Sequence, residues 1–356
     1  MGLCNLWAGQ RVFSIEARHE HVSPGMKNER QQLAIRMNAN HLRTALLACG
    51  LAAARLAAFA GPLQRADVAA EPTWVVHLDC DRLRPTAIGQ YIIAEMDKPE
   101  AQAKLGALET MFGFDPRKQL HGLTLYSTGK TPEDGVLLVY GDFDADRLLA
   151  MAKAAQGYEA TPYKQHVIHN WIDEKRKAVK GGQPRVYAAL EREHILIFAQ
   201  QEMRVAQALD VLDRAAPSLA ASGVFPQLGA SGNASIIQAA ARKLDIPDST
   251  PNAAILRLAK AARLQADIGQ GQLRATLNLE ASDPDVAKEM ATVGQGLLAL
   301  MKLRKDNAGA LKFAEGLSLK QDGAEVTATL VIPTGEAVEL MKADAERKAQ
   351  KQAEKE

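Results

Sequence analysis

Cysteine, aromatic residues and net charge are all scarce in this chain: three cysteines, 5% Phe, Trp and Tyr, and 43 Lys+Arg against 42 Asp+Glu in 356 residues. Each shortage removes a class of function. With no excess of basic side chains there is little to neutralise a phosphate backbone, so nucleic acid is not an expected partner. The cysteines stand at 4, 49 and 80, and loss of an N-terminal leader would leave Cys80 alone, without a partner for an internal disulfide. No Gly-x-Ser-x-Gly elbow, Walker loop, dinucleotide fingerprint or His-Glu-x-x-His sequence occurs, so no cofactor and no metal are expected from motifs. Nor is there a run approaching the ~20 apolar residues of a bilayer-spanning helix, which argues against a transmembrane anchor.

What is present is the composition of a globular protein, 47% hydrophobic and 24% charged, long enough for two domains. The N-terminal region reads as an export signal. Lys27, Arg30, Arg36 and Arg43 precede an apolar run at 44–54, whose eleven residues suit a signal-peptide h-region. Small-x-small cleavage sites follow in Ala58-Phe59-Ala60 and in Val68-Ala69-Ala70, and both stay open. Residues 37–70 are therefore assigned to the signal peptide and its cleavage region. Residues 1–36 are read as a misassigned start ahead of Met26 or Met37, or as a disordered leader. Leu46-Leu47-Ala48-Cys49 looks like a lipobox, but the five residues between Arg43 and Cys49 leave almost no h-region, so lipoprotein processing through Cys49 is disfavoured. Without residues 1–70 the chain carries 35 basic and 38 acidic side chains. The expected location is periplasmic or extracellular.

The remainder repeats one grammar: strand, polar turn, strand, capped amphipathic helix. Leu273, Ala275, Leu277 and Leu279 alternate with polar residues after the turn Gly269-Gln270-Gly271, the pattern of a half-buried strand. Ser282-Asp283-Pro284 then opens a helix with Val286, Met290, Val293, Leu297 and Leu300 on one side. A second such unit follows from 317, with a hairpin at Asp322-Gly323, and two more occupy 123–155 and 186–214. Each half of the chain begins with a lone strand, at 74–79 and 234–239. The glycines and prolines of 216–231 read as a linker. These orders predict an α+β protein of two tandem ferredoxin-like domains, 73–215 and 232–350, each an antiparallel sheet with helices on one face, followed by a charged tail at 351–356.

The segment Trp74-Val-Val-His-Leu-Asp-Cys-Asp81 is the most suggestive for chemistry. Alternation places Trp74, Val76, Leu78 and Cys80 on one face and Val75, His77, Asp79 and Asp81 on the other. With the first set buried, Cys80 is an inert core thiol, and His77, Asp79 and Asp81 form either a solvated outer face or a metal or acid–base patch. His121, His166 and His169 are further candidates, although His166 and His169, three apart on a strand, point to opposite faces. The reading that follows is an exported, non-enzymatic binding or structural protein of the bacterial envelope, whose partner is a protein or an apolar ligand. The alternative is a hydrolase or metal-dependent enzyme using His77, Asp79 and Asp81.

Overall fold

A computed structural model describes residues 61–174, 176, 183–192, 194–229, 235–242, 254–303 and 308–353. The export signal as far as Ala60, Cys49 within it, and residues 354–356 of the tail lie outside the described residues. In chain order the first half contains β1 (Trp74–Asp79), α1 (Cys80–Leu83), α2 (Ala87–Met96), α3 (Pro99–Phe112), α4 (Pro116–Gln119), β2 (Leu120–Ser127), β3 (Gly135–Gly141), α5 (Ala145–Ala154), β4 (Glu159–Tyr163), β5 (His166–Ile172), β6 (Arg185–Glu191), β7 (Ile195–Ala199) and α6 (Glu202–Leu212). The second contains β8 (Ile237–Arg242), α7 (Ala254–Arg257), β9 (Ala261–Gly269), β10 (Gln272–Glu280), α8 (Pro284–Leu303), α9 (Ala308–Gly316), β11 (Leu317–Asp322), β12 (Glu325–Pro333) and α10 (Thr334–Ala353).

Among the described residues the twelve strands belong to one sheet, in the order β11-β12-β10-β9-β8-β1-β2-β3-β7-β6-β5-β4. The two halves are contiguous blocks of it, joined where β1 pairs with β8, Val76 opposite Ala239. Outward from that seam the second half runs β8-β9-β10-β12-β11 and the first runs β1-β2-β3-β7-β6, the same sequence of connections, with the β4–β5 hairpin added at the first half's edge. Every ladder is antiparallel. This corrects the ferredoxin-like expectation: a split βαβ unit needs a parallel pair, whereas the helices after β1 return the chain to its immediate neighbour, antiparallel. It also replaces two separate sheets with one.

The turns follow from their residues. Gln270 and Gly271, at φ 52° and 72°, connect Gly269 to its partner Gln272 in a tight turn with two positive φ values, which matches the twist of the strands it joins. Asp144 and Asp283 cap α5 and α8, accepting from the amides of Arg147 at 3.1 Å and Val286 at 2.9 Å.

Helices cover both faces, not one. Directly opposed residues share a face, so the pairs Val75–Tyr126 and Val75–Ala240 define an inner face. In the first half it holds Val136, Leu138, Ile195 and Ile197 beneath Val205, Ala208, Leu209 and Leu212 of α6. In the second half the apolar residues lie on the opposite face: Leu277, Leu279 and Val326 pack on Met290 of α8, and Leu330 and Ile332 on Ala337 of α10 and Ile88 of α2. The reason is legible in β3 and β7. Val136-Leu-Leu-Val139 and Ile195-Leu-Ile-Phe198 are continuous apolar runs, not alternating ones, and such strands are buried on both sides.

The segment read as a linker is packed as well. Leu219 and Leu228 are fully buried in the first-half core, and five of the carbonyls at 219–228 accept from the Arg65 guanidinium. Glycine and proline there mark irregular backbone, which a buried segment can adopt once its polar groups find partners.

Candidate functional site

The faces of β1 are the reverse of the expected ones. Val75, His77 and Asp79 are buried, Val76 is 41% exposed beside its partner Leu125 at 40%, and the strand ends at Asp79, so that Cys80 opens α1. The half-buried Cys80 thiol is pushed up to about 11 by burial. Alternation set the period correctly, but Trp74, Val76 and Leu78 outrank Val75 in apolar character only if His77 and Asp79 are left without partners. They have partners. His77 is the centre of a buried polar row, opposite Thr124 on β2 and Gln238 on β8. Its Nδ1 lies 2.9 Å from Thr124 Oγ1 and its Nε2 2.8 Å from the Gly61 carbonyl, which can only accept, so Nε2 carries the proton. Burial lowers the pKa of this histidine. Gln238 Oε1 accepts from the Gly229 amide at 2.8 Å. The row thus satisfies the irregular chain laid over it.

Asp81 turns away from that row, into α1, where it meets Arg84 at 2.7 Å and His121 Nδ1 at 3.0 Å. The structure therefore separates His77 from Asp81 and brings Asp81 to His121, whose Nε2 is 3.2 Å from Asp142. Burial alone would lower the His121 pKa, but the two carboxylates outweigh it and the net direction is up. A histidine raised on folding stabilises the protein fully below its unfolded pKa of about 6.5, and the contribution is lost as pH rises through the folded pKa. Accordingly His121→Gln should cost more in urea midpoint at pH 5.5 than at pH 8.5, by up to ~1 kcal/mol for partly exposed pairs. Equal losses at both values would contradict the assignment.

His166 and His169 point to opposite faces, as their spacing requires. His166 stands between Glu191 at 3.2 Å from Nδ1 and Asp213 at 2.9 Å from Nε2. These three donors lie close enough to hold an ion, but the carboxylates engage opposite ring nitrogens, and a metal could use one nitrogen at a time.

His169 belongs to an apolar cavity of the first half. Here α5 crosses β5, β6 and β7 on the outer face and leaves a cavity of about 390 Å³, within the ~300–1,000 Å³ of small-molecule sites. The α5 side contributes Leu148, Leu149, Met151 and Ala152, and the sheet contributes Trp171, Ala188, Leu190, Leu196 and Phe198. The space has a simple origin. Across three strands the row is Phe198, Ala188, His169, and the small Ala188 between two rings leaves room that Ala152 above does not fill. At one end Tyr158 Oη is 2.9 Å from His169 Nδ1 and the two rings stack. Burial, with Lys153 nearby, lowers the His169 pKa, so the imidazole is neutral at pH 7. The cavity offers an apolar body and one neutral polar end. Among the described residues that line it there is no Ser, Thr, Cys, Lys, Asp or Glu.

Fold and cavity together define an α+β protein with a large antiparallel sheet and an apolar pocket under one helix. Among the described residues no helix is long and apolar enough to cross a membrane. No known protein family and no curated protein matches the chain. Solved structures similar to it include crystal forms III, I and IV of TP0453, at TM-scores of 0.46, 0.42 and 0.42 and 8% identity, covering 78 to 79% of this chain and 96 to 97% of that one.

Proposed function

We propose that this is an exported, non-enzymatic protein of the bacterial envelope that binds an apolar small molecule in the cavity between α5 and β5–β7. The observation that carries the proposal is the cavity's lining, with Leu148, Leu149 and Met151 on the α5 wall, aliphatic and aromatic side chains on the sheet wall, and a polar end at His169, which is bonded to Tyr158. Buried apolar surface supplies affinity in such sites, and a few placed polar groups supply orientation. The shared strand order of the two halves supports descent from one duplicated strand-helix-hairpin unit. In the first copy the β4–β5 hairpin widens the sheet on which the cavity rests.

The experiment is titration with 1-anilinonaphthalene-8-sulfonate, a fluorescent apolar probe. The protein should show saturable binding at one site. Ala152→Phe, which fills the cavity from α5, should weaken binding at least tenfold while keeping the far-ultraviolet circular dichroism unchanged. Unchanged affinity in Ala152→Phe would sink the site assignment. The metal-dependent alternative has moved from the His77 face to His166, Glu191 and Asp213. Elemental analysis showing one zinc per chain, abolished by His166→Gln, would favour it instead.

A further inference from the structure

Asp79 is wholly buried. Its Oδ1 accepts from the Arg82 amide at 2.9 Å, while Oδ2 has no partner among the described residues, a costly arrangement for a buried carboxylate. The residue lying against it is Gly61. A Cβ added there would stand 2.7 Å from Asp79 Oδ2 and 2.9 Å from Oδ1, so Gly61 N, bonded to the same Cα, is within roughly 5 Å of Oδ2. Gly61 is held in place through its carbonyl by His77 Nε2. The space beside Asp79 excludes a side chain. Immediately before it stands Ala58-Phe59-Ala60, one of the two small-x-small sites. The other, after Ala70, would remove Leu63 and Val68, both buried in the core, together with Arg65.

We infer that the mature chain begins at Gly61, and that its α-ammonium pairs with Asp79 in a buried socket shaped for an N-terminal glycine. The inference rests on the export reading and adds the processing site and what receives its product. A leader endopeptidase hydrolyses the Ala60–Gly61 peptide bond: water supplies the oxygen of the new Ala60 carboxylate, and Gly61 keeps the nitrogen as an amine. With an α-amino pKa of about 7.7 to 8 that amine is mostly protonated at neutral pH. The cut therefore delivers a cation to the one oxygen of Asp79 that lacks a partner. Burial raises the Asp79 pKa, against the backbone amides of Arg82 and Asp81 and the Arg82 charge, which lower it, and with the Asp81 charge, which raises it; a cation at Oδ2 opposes the burial effect.

Two measurements test the inference separately from export. Protein matured in its native host is sequenced from its N-terminus, with Gly61 expected. A mature chain starting at Glu71 overturns the processing site, and a chain that keeps its leader removes the export reading itself. Independently, a full-length chain in which residues 55–60 are replaced by an enteropeptidase site is folded, then cut to release Gly61. Cutting should raise the melting temperature by about 4 °C or more in the parent and leave Asp79→Asn unchanged. Should Asp79→Asn fail to fold, the released amine gives the answer: read on the N-terminal peptide, it should be acylated by an N-hydroxysuccinimide ester at neutral pH at least tenfold more slowly in the native protein than in urea. An unchanged melting temperature on cutting the parent, or native labelling at the denatured rate, overturns the ion pair even if Gly61 proves to be the mature terminus.

Discussion

A chain starting at Glu71 should lose most of the stability of one starting at Gly61. The ten residues between those points cover the inner face of the sheet. Leu63 and Val68 are 4% and 0% exposed, and burying such side chains stabilises a fold by about 1.5 to 3 kcal/mol each. Arg65 donates to the carbonyls of Leu219, at 2.8 Å, and Leu228, at 3.0 Å, and to three between them. Removing it leaves several acceptors of a packed segment without a donor, at about 1 to 3 kcal/mol for each that water cannot reach. Val68 also accepts from the Leu219 amide, and Asp67 from Arg214. Together these terms reach the order of 5 kcal/mol or more, comparable with the whole stability of an ordinary domain. Urea denaturation of the two chains measures this directly. Arg65→Ala alone should give a substantial part of the loss, about 2 to 4 kcal/mol. Equal midpoints for the chains starting at Gly61 and Glu71 would mean that residues 61–70 are dispensable to the core.

Val75→Asp should unfold the protein or bring it close to unfolding, while Val76→Asp should be nearly silent. The two positions are adjacent, with the same side chain, but Val75 is fully buried against Tyr126 and Ala240 and Val76 is 41% exposed. A carboxylate at 75 would have to be buried beside apolar groups, at a cost of several kcal/mol. Part of that cost should be relieved on acidification to pH 4.5, because a carboxyl whose pKa is raised by burial stabilises the fold only where it is protonated, and the contribution is lost as pH rises. At 76 the carboxylate reaches water, and the change should stay within about ±0.5 kcal/mol. Thermal melts of both variants at pH 7 decide the matter. A reversed ranking would restore the face assignment that alternation alone suggests.

That reversal shows what was readable from residues and what was not. The strand at 74–79, the turn at Gly269-Gln270-Gly271 and the helix opened by Ser282-Asp283-Pro284 follow from local rules of period, turn chemistry and capping, and each is found where those rules place it. Which face of β1 goes inward depends on partners distant in sequence: Thr124 for His77, and Gly61 brought sixteen positions upstream. With those partners a histidine outcompetes a valine for the interior. On α8 the stripe Val286, Met290, Val293, Leu297 and Leu300 was readable as one face, but Val293 and Leu300 are 47% and 61% exposed while Ala287 and Ala291 are buried with Met290, so the inward face is rotated toward the small residues. The ferredoxin-like topology failed at the same level, since local patterns reveal strands and helices and leave open whether a neighbour is parallel. The cavity was illegible for another reason. Alanines at 145, 152, 155, 188 and 189 look like ordinary helix and strand filler, and only the pairing of Ala188 between Phe198 and His169 turns small side chains into space.

The apolar-ligand reading is tested most directly on protein purified from its native host without detergent. Native mass spectrometry, followed by solvent extraction and mass analysis of the extract, should show an apolar compound at close to one equivalent per chain, absent from Ala152→Phe prepared in parallel. Parent protein that carries nothing, and that gains no bound mass when offered total host lipid extract, would contradict a ligand-binding role for the cavity.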